Sequence, residues 1–171
     1  RSTSQADLCE GMLSLIQHRG PDDLGYVISP DGFWGNARLN IIDLENGSQP
    51  ICNEEKNIWV VYNGEIYDFE EHRSNLVQKG HIFRSICDTE CIVHLYEEHG
   101  MQINRHLNGE YAFCLYDQQK QQAVLCRDFF GTKPLYYKVL ENNAVIFSSE
   151  IKPILWALNE TSPTLSKLGI A

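Results

Sequence analysis

The sequence predicts an α+β fold built in layers, and three features carry that reading. Helical periodicity marks the segments near both ends, short β-branched or aromatic runs lie between them, and strand does not alternate strictly with helix as a doubly wound parallel sheet requires. The length of 171 residues, 43% of them hydrophobic and 22% charged, suits one domain with a real core.

The elements follow in order. Leu8, Met12, Leu15 and Ile16 recur at helical spacing, and Arg19-Gly20-Pro21 ends that helix. Tyr26 to Ser29 and Gly32 to Leu39 read as antiparallel strands joined by a tight turn at Pro30-Asp31-Gly32. Ile58 to Tyr62 is a third strand that runs into Asn63-Gly64. Asp68 and Glu71 spell a capping box for a helix through Leu76 and Val77, which Gly80 closes. Asp88 or Thr89 caps the next helix, running through Ile92 and Leu95 to Gly100. Tyr111 to Tyr116, Ala123 to Arg127, Leu135 to Val139 and Ala144 to Ser148 read as an antiparallel meander, and Glu150 to Leu158 returns to helical periodicity. The domain is therefore expected over residues 1–158. Residues 159–171, with Thr161-Ser162-Pro163-Thr164, read as a linker.

A net charge of −9, from 14 basic and 23 acidic residues, argues against binding nucleic acid or an anionic membrane surface. No apolar run reaches the roughly 18 residues of a membrane span, and RSTSQADLCE lacks the layout of a secretion signal, so a cytoplasmic protein is expected. The six cysteines, at positions 9, 52, 87, 91, 114 and 126, mostly sit in apolar segments and read as reduced core thiols.

Unusual chemistry gathers at strand ends: Arg38, Asn63-Gly64-Glu65 and Asp88. Each has a plain alternative, respectively a structural ion pair, a hairpin turn and a helix cap. Together they match an α-amino acid ligand, which needs a guanidinium for its carboxylate, a carboxylate for its ammonium and donors aimed at a side-chain amide oxygen. A glycine at 64 would let a backbone N–H approach a developing oxyanion, with the Asn63 amide as second donor. Cys87, Cys91 and His94, at i, i+4 and i+7, offer a rival zinc reading, but without a second ligand pair a buried apolar face and no metal are expected. His18 is expected to pack and bond where the first helix ends.

The strings HRGPDD (18–23), RLNIIDL (38–44), NGSQP (46–50), NGEIYD (63–68), DTE (88–90), LNGEYAF (107–113), RDFFGTKPLYY (127–137) and FSSEIKPIL (147–155) together resemble the glutaminase domain of asparagine synthetases. That family belongs to the class II glutamine amidotransferases. The resemblance implies an N-terminal-nucleophile αββα sandwich, two antiparallel sheets between helical layers. It further implies that Arg38 holds the glutamine carboxylate, Asp88 its ammonium, Asn63 and Gly64 the oxyanion, and that Glu65 helps bind substrate. L-glutamine is then the ligand, a synthetase domain in cis or trans the partner and a homodimer the expected assembly. The glutaminase domain needs no cofactor, while ATP and Mg²⁺ belong to the synthetase domain. These residues contain neither GxxxxGK[ST] nor a Ser-Gly-Gly loop for ATP.

Three positions depart from the family pattern: Asn36 replaces a usual His, Asn40 a usual Ser and Glu110 a usual apolar residue. The family nucleophile is an N-terminal Cys, and this sequence opens on Arg1, so the expectation is a chain lacking its first strand and inactive as it stands. Cys9 is expected to pack in the core rather than replace that nucleophile. The alternative function is a non-catalytic module for glutamine sensing or assembly, as in β-lactam synthetases, which kept the fold and lost the nucleophile.

Overall fold

The computed structural model describes residues 4–38 and 47–161. Helix α1 (Gln5–Ser14) and a 3₁₀ turn (Gln17–Arg19) precede the hairpin β1 (Asp23–Ser29) and β2 (Gly32–Arg38). Then come β3 (Ile51–Cys52), β4 (Ile58–Ile66), α2 (Phe69–Gln78), α3 (Asp88–His99) and a second 3₁₀ segment (Gly100–His106). Strands β5 (Gly109–Asp117), β6 (Gln122–Arg127), β7 (Tyr136–Val139) and β8 (Val145–Ser148) lead to α4 (Ile151–Ala157).

Four layers result. The central antiparallel sheet has the order β3-β4-β5-β6 and carries α3 on one face, with α2 packed against α3. On its other side β2 packs against β4, and α1 and α4 cover the β1–β2 and β7–β8 hairpins. This is the αββα arrangement, both sheet layers antiparallel.

Strand alternation divides the core. Val60, Tyr62 and Ile66 of β4, with Tyr111, Phe113 and Leu115 of β5, face Ile92, Val93 and Tyr96 of α3. Val61, Cys114 and Tyr116 point the other way and meet Trp34 of β2, with Leu125 and Phe147 alongside. The Trp34 and Tyr116 rings stack with centroids 4.3 Å apart, tying the two sheet layers together.

Several local expectations need correction. The capping box forms at α1, where the Ser4 hydroxyl accepts from Asp7 N–H and the Asp7 carboxylate accepts from Ser4 N–H. Asp68 is N-cap to α2 without a side-chain cap bond and faces His72 instead, 3.5 Å away. Cys87, not Asp88 or Thr89, is N-cap to α3: both of the expected caps already lie within the helix, and the Asp88 carboxylate is taken by Tyr62 and Ile66. The predicted meander splits: β5 and β6 belong to the central sheet, whereas β7 and β8 pair only with each other among the described residues. The RDFFGTKP segment between them bonds to itself. Arg127 donates to the carbonyls of Gly131 and Lys133, and the Asp128 carboxylate accepts the N–H groups of Tyr111, Thr132 and Lys133.

Of the expected linker, residues 159–161 lie within the description, and Asn159 and Glu160 donate back to carbonyls of α4. Residues 162–171, Asn40 and the stretch 39–46 of RLNIIDL and NGSQP lie outside the described residues. Among those described, no helix is long and apolar enough to cross a membrane.

Candidate functional site

A cleft of about 1560 Å³ opens between the two sheet layers, and Arg38, Asn63, Gly64, Glu65 and Asp88 all line it. The position of each follows from strand parity. Asn63-Gly64 is not a hairpin turn: β4 continues through both residues to Ile66, with Asn63 opposite Ala112 and Gly64 opposite Tyr111 of β5. Asn63 and Glu65 alternate with Val61 and so share its face, towards the second sheet layer. Neither side chain bonds to another described residue.

The backbone of β4 supplies the geometry. Successive N–H groups of a strand point to opposite edges, so those of Tyr62, Gly64 and Ile66 share one edge. β5 takes the other edge, as the bond from Tyr67 N–H to the Asn108 carbonyl confirms at the strand's end. On the shared edge β3 reaches only as far as Ile51 opposite Val60. Beyond it Tyr62 N–H donates to Gln49 Oε1 at 2.6 Å, and Ile66 N–H donates to Asp88 Oδ2 at 3.0 Å. Gly64 N–H lies between these two on the same uncovered edge, and no described residue accepts it.

Asp88 is therefore not a helix cap. It starts α3 and is 9% exposed, and its Oδ2 also accepts from the Tyr62 hydroxyl at 2.6 Å. Burial, with the adjacent Asp88 carboxylate, pushes the Tyr62 phenol far up, so Tyr62 remains a donor. The neighbouring Glu90 is structural, because its carboxylate accepts Arg84 N–H, Ser85 N–H and the Ser85 hydroxyl and so fixes the loop before α3.

Glycine at 64 has a reason that sequence reasoning missed. A Cβ there would meet the Glu110 carbonyl oxygen at 2.2 Å and Tyr111 Cα at 2.7 Å, so close approach of β5 requires the missing side chain. Sequence reasoning also gave no role to Gln49, whose Oε1 accepts both Tyr62 N–H and Asn36 Nδ2, while Asn36 Nδ2 also donates to the Tyr62 carbonyl at 3.1 Å. The usable signal was Pro50, which cannot continue a β ladder and so leaves the strand edge to a side chain. Two of the departures from the family pattern thus have partners: Asn36 joins this clamp, and Glu110 pairs with Lys133 at 2.8 Å. His18 bonds Glu150 at 2.8 Å, joining the HRGPDD and FSSEIKPIL strings.

The cysteines do not make a zinc set with His94. Cys87 Sγ lies 3.0 Å from Ser85 Oγ and Cys91 Sγ donates to the Phe69 carbonyl, while His94 Nδ1 faces Glu97. Burial raises all six thiols, Cys9 to about 11 and Cys91 and Cys114 to about 12. Cys9 is 1% exposed in the core, as expected of it.

Two antiparallel sheet layers between helices, with an open strand edge lining the cleft, define a protein of the N-terminal-nucleophile amidotransferase fold. Among solved structures, the glutamine phosphoribosylpyrophosphate amidotransferase of Bacillus subtilis superposes with a TM-score of 0.74, over 88% of this chain and 40% of that one, at 19% identity. An allosteric regulatory enzyme of purine biosynthesis gives a TM-score of 0.72 over 89% of this chain and 40% of its own, also at 19% identity. At those identities the likeness is one of fold.

Sequence comparison is more specific. The glutamine amidotransferase domain model matches residues 1–171. Asparagine synthetase [glutamine-hydrolyzing] 1 of Bacillus subtilis is 38% identical over 160 residues, which is 94% of this chain and 25% of that protein. The asparagine synthetase of Sandersonia aurantiaca is 44% identical over 137 residues, 80% of this chain and 26% of that protein. The chain belongs to the glutamine amidotransferase domain family. It spans about a quarter of the length of these relatives.

Proposed function

We propose that this chain binds L-glutamine in the cleft and is the glutaminase module of an asparagine synthetase-like enzyme, delivering ammonia to an ATP-dependent synthetase domain. The observation that carries the reading is the edge of β4 beyond β3, where a Gly64 N–H that no described residue accepts lies one strand repeat from the Asp88 carboxylate held on Ile66 N–H. Same-side N–H groups are about 6.6 Å apart along a strand. That spacing matches the scale between the α-ammonium of glutamine and its side-chain amide oxygen. Asp88 then takes the ammonium, Gly64 N–H and the Asn63 amide the oxygen, and Arg38 the α-carboxylate, with Glu65 at the rim. Each partner has the charge or donor its group requires.

Binding and polarisation do not themselves cleave an amide, which needs a nucleophile. The six thiols of this chain are pushed up by burial, the opposite of what a nucleophilic thiolate requires. These 171 residues therefore bind glutamine without hydrolysing it, and hydrolysis depends on a nucleophile other than these cysteines. ATP and Mg²⁺ act at the synthetase domain, and the glutaminase module needs no cofactor for its own step.

Calorimetric titration with L-glutamine, paired with an ammonia assay, tests both statements. Saturable binding with ammonia release at buffer background is expected. Absence of binding at millimolar glutamine would favour a scaffold that only assembles with a synthetase partner, and ammonia release above background would refute the assignment of the thiols as inert.

A further inference from the structure

Away from the cleft, three segments bring imidazole and carboxylate groups together. Glu54 lies in the turn between β3 and β4, His81 in the connection from α2 to α3, and His94 and Glu97 one turn apart on α3. None of these four residues lines the cleft. We propose that Glu54, His81 and His94, with Glu97 between the two imidazoles, form a binding site for one divalent first-row transition cation of the zinc class.

One donor atom each from Glu54, His81 and His94 lies within 4.8 Å of the others. Glu97 Oε2 sits 2.8 Å from His94 Nδ1 and 3.2 Å from His81 Nδ1, so both rings turn the same nitrogen towards one point. Glu54 Oε2 is 4.0 Å from His94 Nδ1. Tetrahedral zinc with ligands at about 2.0–2.1 Å needs donor spacings of about 3.3 Å, so side-chain movements of about 1 Å would close the set. Two imidazoles with carboxylates suit zinc, cobalt or nickel better than calcium, which prefers oxygen alone.

Two further observations favour a cation over a hydrogen-bonded cluster alone. His81 Nε2 lies 3.1 Å from Glu98 Oε1, the outer carboxylate that orients a metal-ligating imidazole. Glu54, Glu97 and Glu98 bring three carboxylates together, and among the described residues the cations touching them are Lys79, on the Glu98 carboxylate, and Arg84, on the Glu54 carbonyl. His94 has no exposed surface, and its Nε2 meets no hydrogen-bond partner among the described residues. A neutral ring carries one proton, so a cation on Nδ1 places it on Nε2, and the cation's bond must outweigh the buried N–H left there as well as replace the contact with Glu97.

The test is titration of the chelator-stripped chain with zinc chloride, followed by calorimetry and thermal denaturation, with cobalt(II) as the spectroscopic probe. One equivalent should bind, raising Tm by roughly 5–10 °C at zinc about 100-fold above Kd. Cobalt should give tetrahedral ligand-field absorption without a thiolate charge-transfer band. His81→Gln and Glu54→Gln leave the fully buried His94 in place and keep hydrogen-bonding groups, so both should fold, as near-ultraviolet circular dichroism would report. Each should weaken zinc binding about tenfold or more. Zinc binding no tighter than millimolar, binding that both variants retain, or a cobalt–thiolate band would each overturn the proposal.

Discussion

Replacing Asp88 by Asn removes a charge while keeping shape, and its two consequences can be calculated separately. In the fold, Oδ2 accepts from Tyr62 Oη at 2.6 Å and from Ile66 N at 3.0 Å. An asparagine oxygen can still accept both, so the loss is that of charge assistance, about 1–2 kcal/mol of stability. In the site, the change removes the only anion assigned to the glutamine ammonium, at a position 9% exposed. A charge-assisted contact of this kind contributes about 2–3 kcal/mol, which converts to roughly 30- to 150-fold in affinity. Calorimetry with L-glutamine and with 4-carbamoylbutanoate, which is glutamine without the α-ammonium, isolates that contribution. The wild-type chain should prefer glutamine by that factor, and Asp88→Asn should lose most of the preference, while urea denaturation registers only the smaller loss. A variant that folds and still prefers glutamine as strongly as the wild type would refute the assignment of Asp88.

Three other perturbations test the scaffold around this site. Gly64→Ala drives a Cβ to 2.2 Å from the Glu110 carbonyl, so β4 and β5 must part, and a loss of about 2–4 kcal/mol should appear in urea denaturation together with loss of glutamine binding. Gln49→Ala leaves Tyr62 N–H without its acceptor and Asn36 without one of its two, so about 1–3 kcal/mol should be lost and glutamine affinity should fall even though residue 49 carries no charge. Burial alone would raise the Asp128 carboxyl, but the N–H groups of Thr132, Lys133 and Tyr111 outweigh it and hold it at about 2, below its ordinary 3.8. A depressed carboxyl stabilises the fold above the unfolded value, so this contribution should be present above about pH 4 and disappear as pH falls towards 2. Stability curves of the wild type and Asp128→Asn should therefore converge across that window, and parallel curves would contradict the role given to Asp128.

Much of the layered fold was legible because its signals are local. The period of α3 and the alternation of β4 and β5 each place their core residues without reference to distant parts of the chain. What was not legible depends on which partner a polar group finds. Asp88 satisfies every local rule for a helix cap, yet Tyr62 and Ile66, more than twenty positions earlier, claim its carboxylate, and Cys87 is the N-cap. Asn63-Gly64 satisfies the local rule for a hairpin, yet nine consecutive register partners on β5 keep β4 extended through it. The residue types of the candidate site could be read from the sequence, whereas the reason they converge could not. Residues Asn36 and Gln49 were visible only as a departure and as part of a string.

Convergence depends on where β3 stops. Had β3 continued antiparallel to β4 past Ile51, its backbone would have covered Tyr62, Gly64 and Ile66, and the edge would hold no ligand. Pro50 cannot donate to a ladder, and Gly25, whose missing Cβ would lie 1.8 Å from the Gln49 carbonyl, lets the chain turn in against β1 at that point. Gln49 then covers Tyr62 with a side chain instead of a strand, Asp88 covers Ile66 from the other direction, and Gly64 N–H is the donor on this edge that no described residue accepts. A backbone donor held between two satisfied neighbours on a paired strand cannot swing away, which is the preorganisation that oxyanion stabilisation requires. The same logic separates Gln49 from Asp88 experimentally: removing Gln49 should loosen the donor and weaken glutamine and 4-carbamoylbutanoate alike, whereas removing the Asp88 charge should weaken glutamine alone.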